Sequence, residues 1–168
     1  MKVIENGILA WKQLGLFFLV LCGAVLNGGT IIQDGVVYTT YSTYAVLTRV
    51  TDSSSEETLV IPSSINGLPV KEVAKKAFSE VEFDRLVMPD SIQTLKSSAF
   101  DACTIKSLSL GNGLKAIEQY AFDDCYGLTS LTVPDSVTAI GRAAFDIDYL
   151  ESISLPNKCT LASSVRLS

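Results

Sequence analysis

The sequence predicts an α/β repeat solenoid. The expected form is a short stack of coils of about 22–23 residues, with a parallel β-sheet on one face and short helical turns or loops on the other, preceded by an N-terminal β-hairpin. Three observations carry this reading. Phe78, Phe100, Phe122 and Phe145 recur at spacings of 22, 22 and 23 residues, each directly after an alanine. Strand-like triplets recur at the same period: Leu86-Val87-Met88, Leu108-Ser109-Leu110 and Leu131-Thr132-Val133. Each is followed by Pro89, Gly111 or Pro134, which stands 11 residues before the next phenylalanine. Single apolar positions then keep step with both: Phe83, Ile105, Leu128 and Leu150 before the triplets; Ile92, Leu114 and Val137 after the turn; Leu95, Ile117 and Ile140 further on.

The elements follow in chain order. Leu14 to Leu26 is a run of 13 residues without a charge, preceded by Lys2 and Lys12 and followed by Gly28 and Gly29. A positive start, a short apolar middle and a small-residue exit are the layout of a secretory signal peptide. A membrane-spanning helix needs about 20 apolar residues, so a permanent anchor is the weaker expectation. Residues 1–28 are therefore expected to be the leader. Residues 31–57 are expected to form an N-terminal β cap. It holds two strands, Gly35 to Tyr38 and Tyr44 to Val50, and a polar loop from Asp52 to Glu57. Residues 58–168 are expected to be the repeat stack. Leu59-Val60-Ile61-Pro62 opens it, and Ile153-Ser154-Leu155-Pro156 begins a last, partial repeat.

One repeat shows why the segment folds as a coil. In an extended Leu131-Thr132-Val133 the outer two side chains share a face and Thr132 points away. Pro134 offers no N–H to a ladder and ends the strand. Asp135-Ser136 bonds nearby backbone and turns the chain, and Val137 and Ile140 re-enter the core. Arg142 to Phe145 is expected to make one tight helical turn. A single coil cannot bury its own apolar face, whereas stacked coils can. At the open end, Leu161, Val165 and Leu167 are expected to half-cover the last coil and to leave an apolar patch beside Phe145 and Leu155.

Composition excludes several functions. Thirteen basic against 18 acidic residues give a net charge of −5, which disfavours nucleic acid. With no histidine, Ser-His-Asp and Cys-His catalysis and His-ligated metals are excluded. There is no glycine-rich phosphate loop and no convincing acid pair, so no catalytic, cofactor-binding or metal-binding residue is assigned and an enzyme is not expected. Cys103 and Cys125 share one repeat position and read as stacked, buried free thiols. A bridge between adjacent coils also fits the spacing of such coils. Asp101, Asp123 and Asp146 form an acidic ladder. It reads as a solvated edge or, with more oxygen ligands, as a weak calcium site. Asp90, Asn112, Asp135 and Asn157 form a second ladder, explained by turn capping.

The segments LVMPDSIQTLKSSAFDAC (86–103) and LTVPDSVTAIGRAAFDID (131–148) resemble the BspA-like leucine-rich-repeat family. The resemblance runs from about Leu59 to Pro156. It implies a secreted or cell-surface protein that binds or adheres to proteins of a host or neighbouring cell. The candidate binding face is the outward side of the triplet strands. Its expected members are Thr58 and Val60, Arg85 and Val87, Ser107 and Ser109, Ser130 and Thr132, and Ser152 and Ser154. This face is polar and holds no aromatic residue. The membrane is expected to be touched only through an uncleaved leader. The alternative function is a structural block that stacks end to end through its incomplete C-terminal repeat, with weak self-association.

Overall fold

A computed structural model describes residues 29–51 and 58–162, and every contact below belongs to those residues. The leader, the Asp52 to Glu57 loop and the tail from Ser163 lie outside them. The strands are β1 (Thr30–Gln33), β2 (Val36–Thr40), β3 (Ala45–Val50), β4 (Thr58–Val60), β5 (Ser64–Ile65), β6 (Leu68–Val73) and β7 (Glu82–Val87). They continue as β8 (Thr94–Leu95), β9 (Thr104–Ser109), β10 (Ala116–Ile117), β11 (Ser130–Thr132), β12 (Ala139–Ile140), β13 (Ser152–Ser154) and β14 (Thr160–Leu161).

The coils stack as expected, but they build two β-walls rather than one. The first wall holds the triplets: β4, β7 and β9 pair in parallel, and β11 pairs with β13. The second wall runs β6-β8-β10-β12-β14 in parallel. Its strands are only two residues long after β6, each sending one residue inward: Leu95, Ile117 and Ile140 are 0–2% exposed. A two-residue strand shows no alternation, so the sequence presents these positions as isolated apolar residues rather than as a sheet.

The N-terminal strands extend this second wall. β1 and β2 pair antiparallel, β2 and β3 antiparallel, and β3 then joins β6 in parallel. The sequence reading finds β2 and β3 but not β1. The backbone bonds of β3 imitate a coil. Leu47 C=O accepts from Ala74 N–H at 2.8 Å, as Val73 C=O does from Lys96 N–H and Leu95 C=O from Glu118 N–H. Val50 N–H donates to Ala77 C=O, just as Phe78 N–H donates to Ala99 C=O. The first repeat therefore meets a ready-made rung.

The alanine-phenylalanine segments are turns, not helical turns, and among the described residues no helix forms. The cause is where their N–H groups go. Phe78, Phe100 and Phe122 donate to Ala99, Ala121 and Ala144 C=O of the next coil at 2.8–3.0 Å. Ser98 and Tyr120 donate to Gln119 and Arg142 C=O. Those donors cannot also serve an i→i−4 ladder. Two residues before each phenylalanine the backbone is left-handed: Lys76, Ser98, Tyr120 and Ala143 have φ of 48–58°. A non-glycine residue there costs about 1–2 kcal/mol and cannot sit inside a right-handed helix. The bonds between coils offset that cost. The core inside these three sides is continuous. Its axis is the phenylalanine ladder, every ring fully buried, with successive centroids 4.7, 4.9 and 5.7 Å apart and nearly parallel planes.

Candidate binding face

The first wall is positioned by register. Thr58, Arg85 and Ser107 stand in one row across β4, β7 and β9, and Val60, Val87 and Ser109 in another. Ser130 pairs with Ser152, and Thr132 with Ser154. Between the rows Leu86 and Leu131 turn inward and are buried. All ten outward residues are exposed except Val87, which is half-buried. Val60 is the most apolar of the open ones, 60% exposed.

The ten residues do not form one sheet. The ladder stops between β9 and β11, and the spacing of 23 explains it. Cys103 to Leu108 is five residues, whereas Cys125 to Leu131 is six. The additional residue falls at Tyr126-Gly127. Gly127 takes φ +82°, and a Cβ there would lie 3.2 Å from Ile105 O. Tyr126 still follows the earlier register, bridging Thr104 and accepting at its C=O from Ile105 N–H at 2.9 Å. Strand pairing with β9 then ends before β11. An inserted residue in one strand, with a left-handed glycine, is the geometry of a β-bulge. The wall thus has two terraces with a step between them.

At that step stands a residue the sequence reading leaves out of the face. Tyr126 continues the outward column of Glu82 and Thr104, and its ring is 42% exposed. The ten outward strand positions hold no aromatic, and Tyr126 stands outside the strands, next to them. The signal was its place one residue after the buried Cys125, the position that Thr104 holds after Cys103. Beside it Lys106 pairs with Asp84 at 2.6 Å across β7 and β9.

The other ladders are structural. Asn112 N–H donates to Asp90 Oδ1 at 2.7 Å, tying adjacent turns. On the second wall Lys96 lies 3.7 Å from Glu72 and 3.3 Å from Glu118. Partial burial acts to raise the Glu118 carboxyl. The Ser97 backbone N–H and hydroxyl, each at 3.0 Å, and the Lys96 ammonium outweigh it and hold the group below the ordinary carboxylate range. Asp101 pairs with Lys76 at 3.0 Å. Asp123 is raised, first by partial burial and then by Asp124, Asp146 and Asp101. Among the described residues no group of three or more acidic or cysteine side chains is placed to hold a metal ion. At the C-terminal end Phe145 is fully buried, under a coil that carries half-buried Ile153, Leu155 and Cys159. Phe145 is therefore interior, and the expected cover from Val165 and Leu167 lies outside the described residues. Leu161, 46% exposed, does face outward there.

Stacked coils of 22–23 residues with a triplet wall and a buried phenylalanine axis define a leucine-rich-repeat solenoid. The sequence matches the BspA type leucine rich repeat region, in six copies over residues 71–165, and the chain belongs to that family. A leucine rich repeat protein of T. pallidum is similar in structure, with 29% identity and a TM-score of 0.66 over 83% of this chain. This chain spans 63% of the length of that protein. A leucine-rich repeat protein from Bacteroides capillosus shares the fold at 23% identity and a TM-score of 0.66, over 74% of this chain and 96% of its own. The pneumococcal vaccine antigen PcpA does so at 24% identity and 0.66, over 84% of this chain and 40% of its own. No curated protein matches the sequence. Among the described residues no helix is long and apolar enough to cross a membrane.

Proposed function

We propose that this chain is an exported, non-catalytic protein-binding module that engages its partner through the first wall. The observation that supports this most is the stepped, rigid surface. Rows in which seven of ten side chains are short Ser or Thr lie on a hydrogen-bonded frame, and one exposed tyrosine stands at the step. Preorganised backbone lowers the entropy lost on binding, and tyrosine is a preferred anchor at interfaces. At 42% exposure, Tyr126 is accessible to a partner's side chains. Membership of the BspA-type family supports a surface location, and the leader supports export.

The partner class is a protein of a host or neighbouring cell, and immobilised extracellular-matrix proteins are the probe. The test compares the full chain with Ser109→Glu/Tyr126→Ala on the first wall and Lys115→Glu on the second. Surface changes of this kind cost within about 0.5 kcal/mol of stability, so unfolding does not mimic lost binding. The first-wall variant should weaken binding by about tenfold or more, and Lys115→Glu should leave it unchanged. Equal weakening by both, or no binding of the full chain to any matrix protein, would overturn the proposal. A second reading is end-to-end assembly, favoured by exposed Leu161 on the outermost described strand. A mass that rises with concentration in sedimentation equilibrium would identify it.

A further inference from the structure

We infer that Cys103 and Cys125 are a cross-linking site: they join adjacent coils by a disulfide while the chain folds in an oxidising environment, and are sealed from reagents once it has folded. The two sulfur atoms lie 3.2 Å apart, unbonded, with the residues 0% and 1% exposed. Their position is fixed from both sides. Each backbone N–H makes the same turn, Cys103 to Phe100 C=O and Cys125 to Phe122 C=O, both at 3.4 Å. Tyr126 N–H then donates to Cys103 C=O at 2.7 Å, locking the coils in register beside the pair. The rings of Phe100 and Phe122, three residues before each cysteine, are stacked at 4.9 Å and hold the same two coils in register. Neighbouring parallel segments sit about 4.8 Å apart, inside the Cα window of about 4.4–6.8 Å that a disulfide requires. At the same repeat position the flanking coils carry Val81 and Asp148, so a thiol meets a thiol at this one junction.

The chemistry balances with a low-molecular-weight disulfide as oxidant. One cysteine thiolate attacks it, forming a mixed disulfide and releasing one small thiolate. The second cysteine thiolate attacks the protein-side sulfur and releases the other. The protein loses two thiol protons and two electrons, and the reagent becomes two thiols. Timing follows from burial. Thiolate is the reactive form. In the folded protein the hydrogen bond to Cys125, and next the burial, push the Cys103 thiol up, and the burial of both residues keeps reagents from either sulfur. Before the coils close, neither restraint exists.

The test uses the full chain with Cys22→Ser and Cys159→Ser, which leaves only this pair. The protein is unfolded and reduced, then refolded in a mixture of oxidised and reduced glutathione, alkylated and weighed. Refolded protein should take up no alkyl label and weigh two hydrogen atoms less than the reduced form. Tryptic digestion should yield peptides 97–106 and 116–142 joined. The same reduced protein, first folded and then given the same buffer, should react much more slowly, at the rate of its unfolding. Two alkyl labels or glutathione adducts after oxidative refolding would overturn the cross-link. Equal rates for folded and refolding protein would overturn the sealing. Should the double variant fail to fold, peptide mapping of the unsubstituted chain decides. A link joining 97–106 to 116–142 supports the inference, and pairing of either cysteine with Cys159 instead refutes it.

Discussion

The two walls of the solenoid answer the same repeat differently. The first wall has strands of three to six residues and yet breaks between β9 and β11. The second has strands of two residues after β6 and runs unbroken from the N-terminal hairpin to β14. Continuity thus depends on register at each turn rather than on strand length. One additional residue at Gly127 displaces the first wall, while Ala116 and Ile117 still pair with Ala139 and Ile140 on the second. The turn between them absorbs the insertion. Stepped on one side and continuous on the other, the molecule keeps its core aligned while varying its outer surface.

The phenylalanine axis belongs to both walls, so the largest effect should come from cutting it. Phe122 lies between Phe100 and Phe145, fully buried. Phe122→Ala is expected to destabilise by about 3–5 kcal/mol in urea melts. Hydrogen exchange should rise on both walls at once. A loss confined to one wall would mean that the walls have separate cores.

A smaller effect, confined to the second wall, is expected from Gly141. The equivalent positions in earlier coils are Lys96 and Glu118, which carry long side chains. At Gly141 the coils approach so closely that a Cβ would lie 2.4 Å from Gln119 N and 2.6 Å from Glu118 C, both backbone atoms that cannot swing aside. Gly141→Ala should cost about 1–3 kcal/mol, the range for overpacking a close contact. Exchange should increase at β10 and β12 while the pairing of β11 with β13 holds.

How much of this was legible in the sequence follows from which features need a pattern. The triplet strands show themselves because Leu86, Leu108 and Leu131 turn inward beside outward partners. The phenylalanine axis shows itself by exact recurrence. The second wall stays hidden because Thr94-Leu95 or Ala139-Ile140 is too short to alternate. The left-handed turns stay hidden because Lys76, Ser98, Tyr120 and Ala143 share no side-chain chemistry; the conformation is imposed by bonds between coils. That is why a helical turn was expected and a turn is found. On the binding face the ten outward residues could be placed by alternation, but Tyr126 could not. Its exposure follows from its place one residue after the buried Cys125, as Thr104 stands after Cys103.

The step itself can be removed. Deleting Gly127 leaves Cys-Tyr-Leu-Thr-Ser-Leu, which aligns residue for residue with Cys103-Thr104-Ile105-Lys106-Ser107-Leu108. The left-handed residue disappears and β11 gains the register it needs to pair with β9. Each new backbone bond contributes about 0.5–1.5 kcal/mol net, and Tyr126, already in register with Thr104, has no reason to move. The deletion should therefore stabilise slightly, by about 1 kcal/mol, after part of that gain is lost in resettling the turn. The sharper reading is local. Amide exchange should slow at Ser130 to Thr132 and stay unchanged at Ala116, Ile117, Ala139 and Ile140. If the second wall changes as much as the first, the turn does not absorb the insertion and the walls are mechanically coupled. If β11 gains no protection, something other than Gly127 keeps the terraces apart.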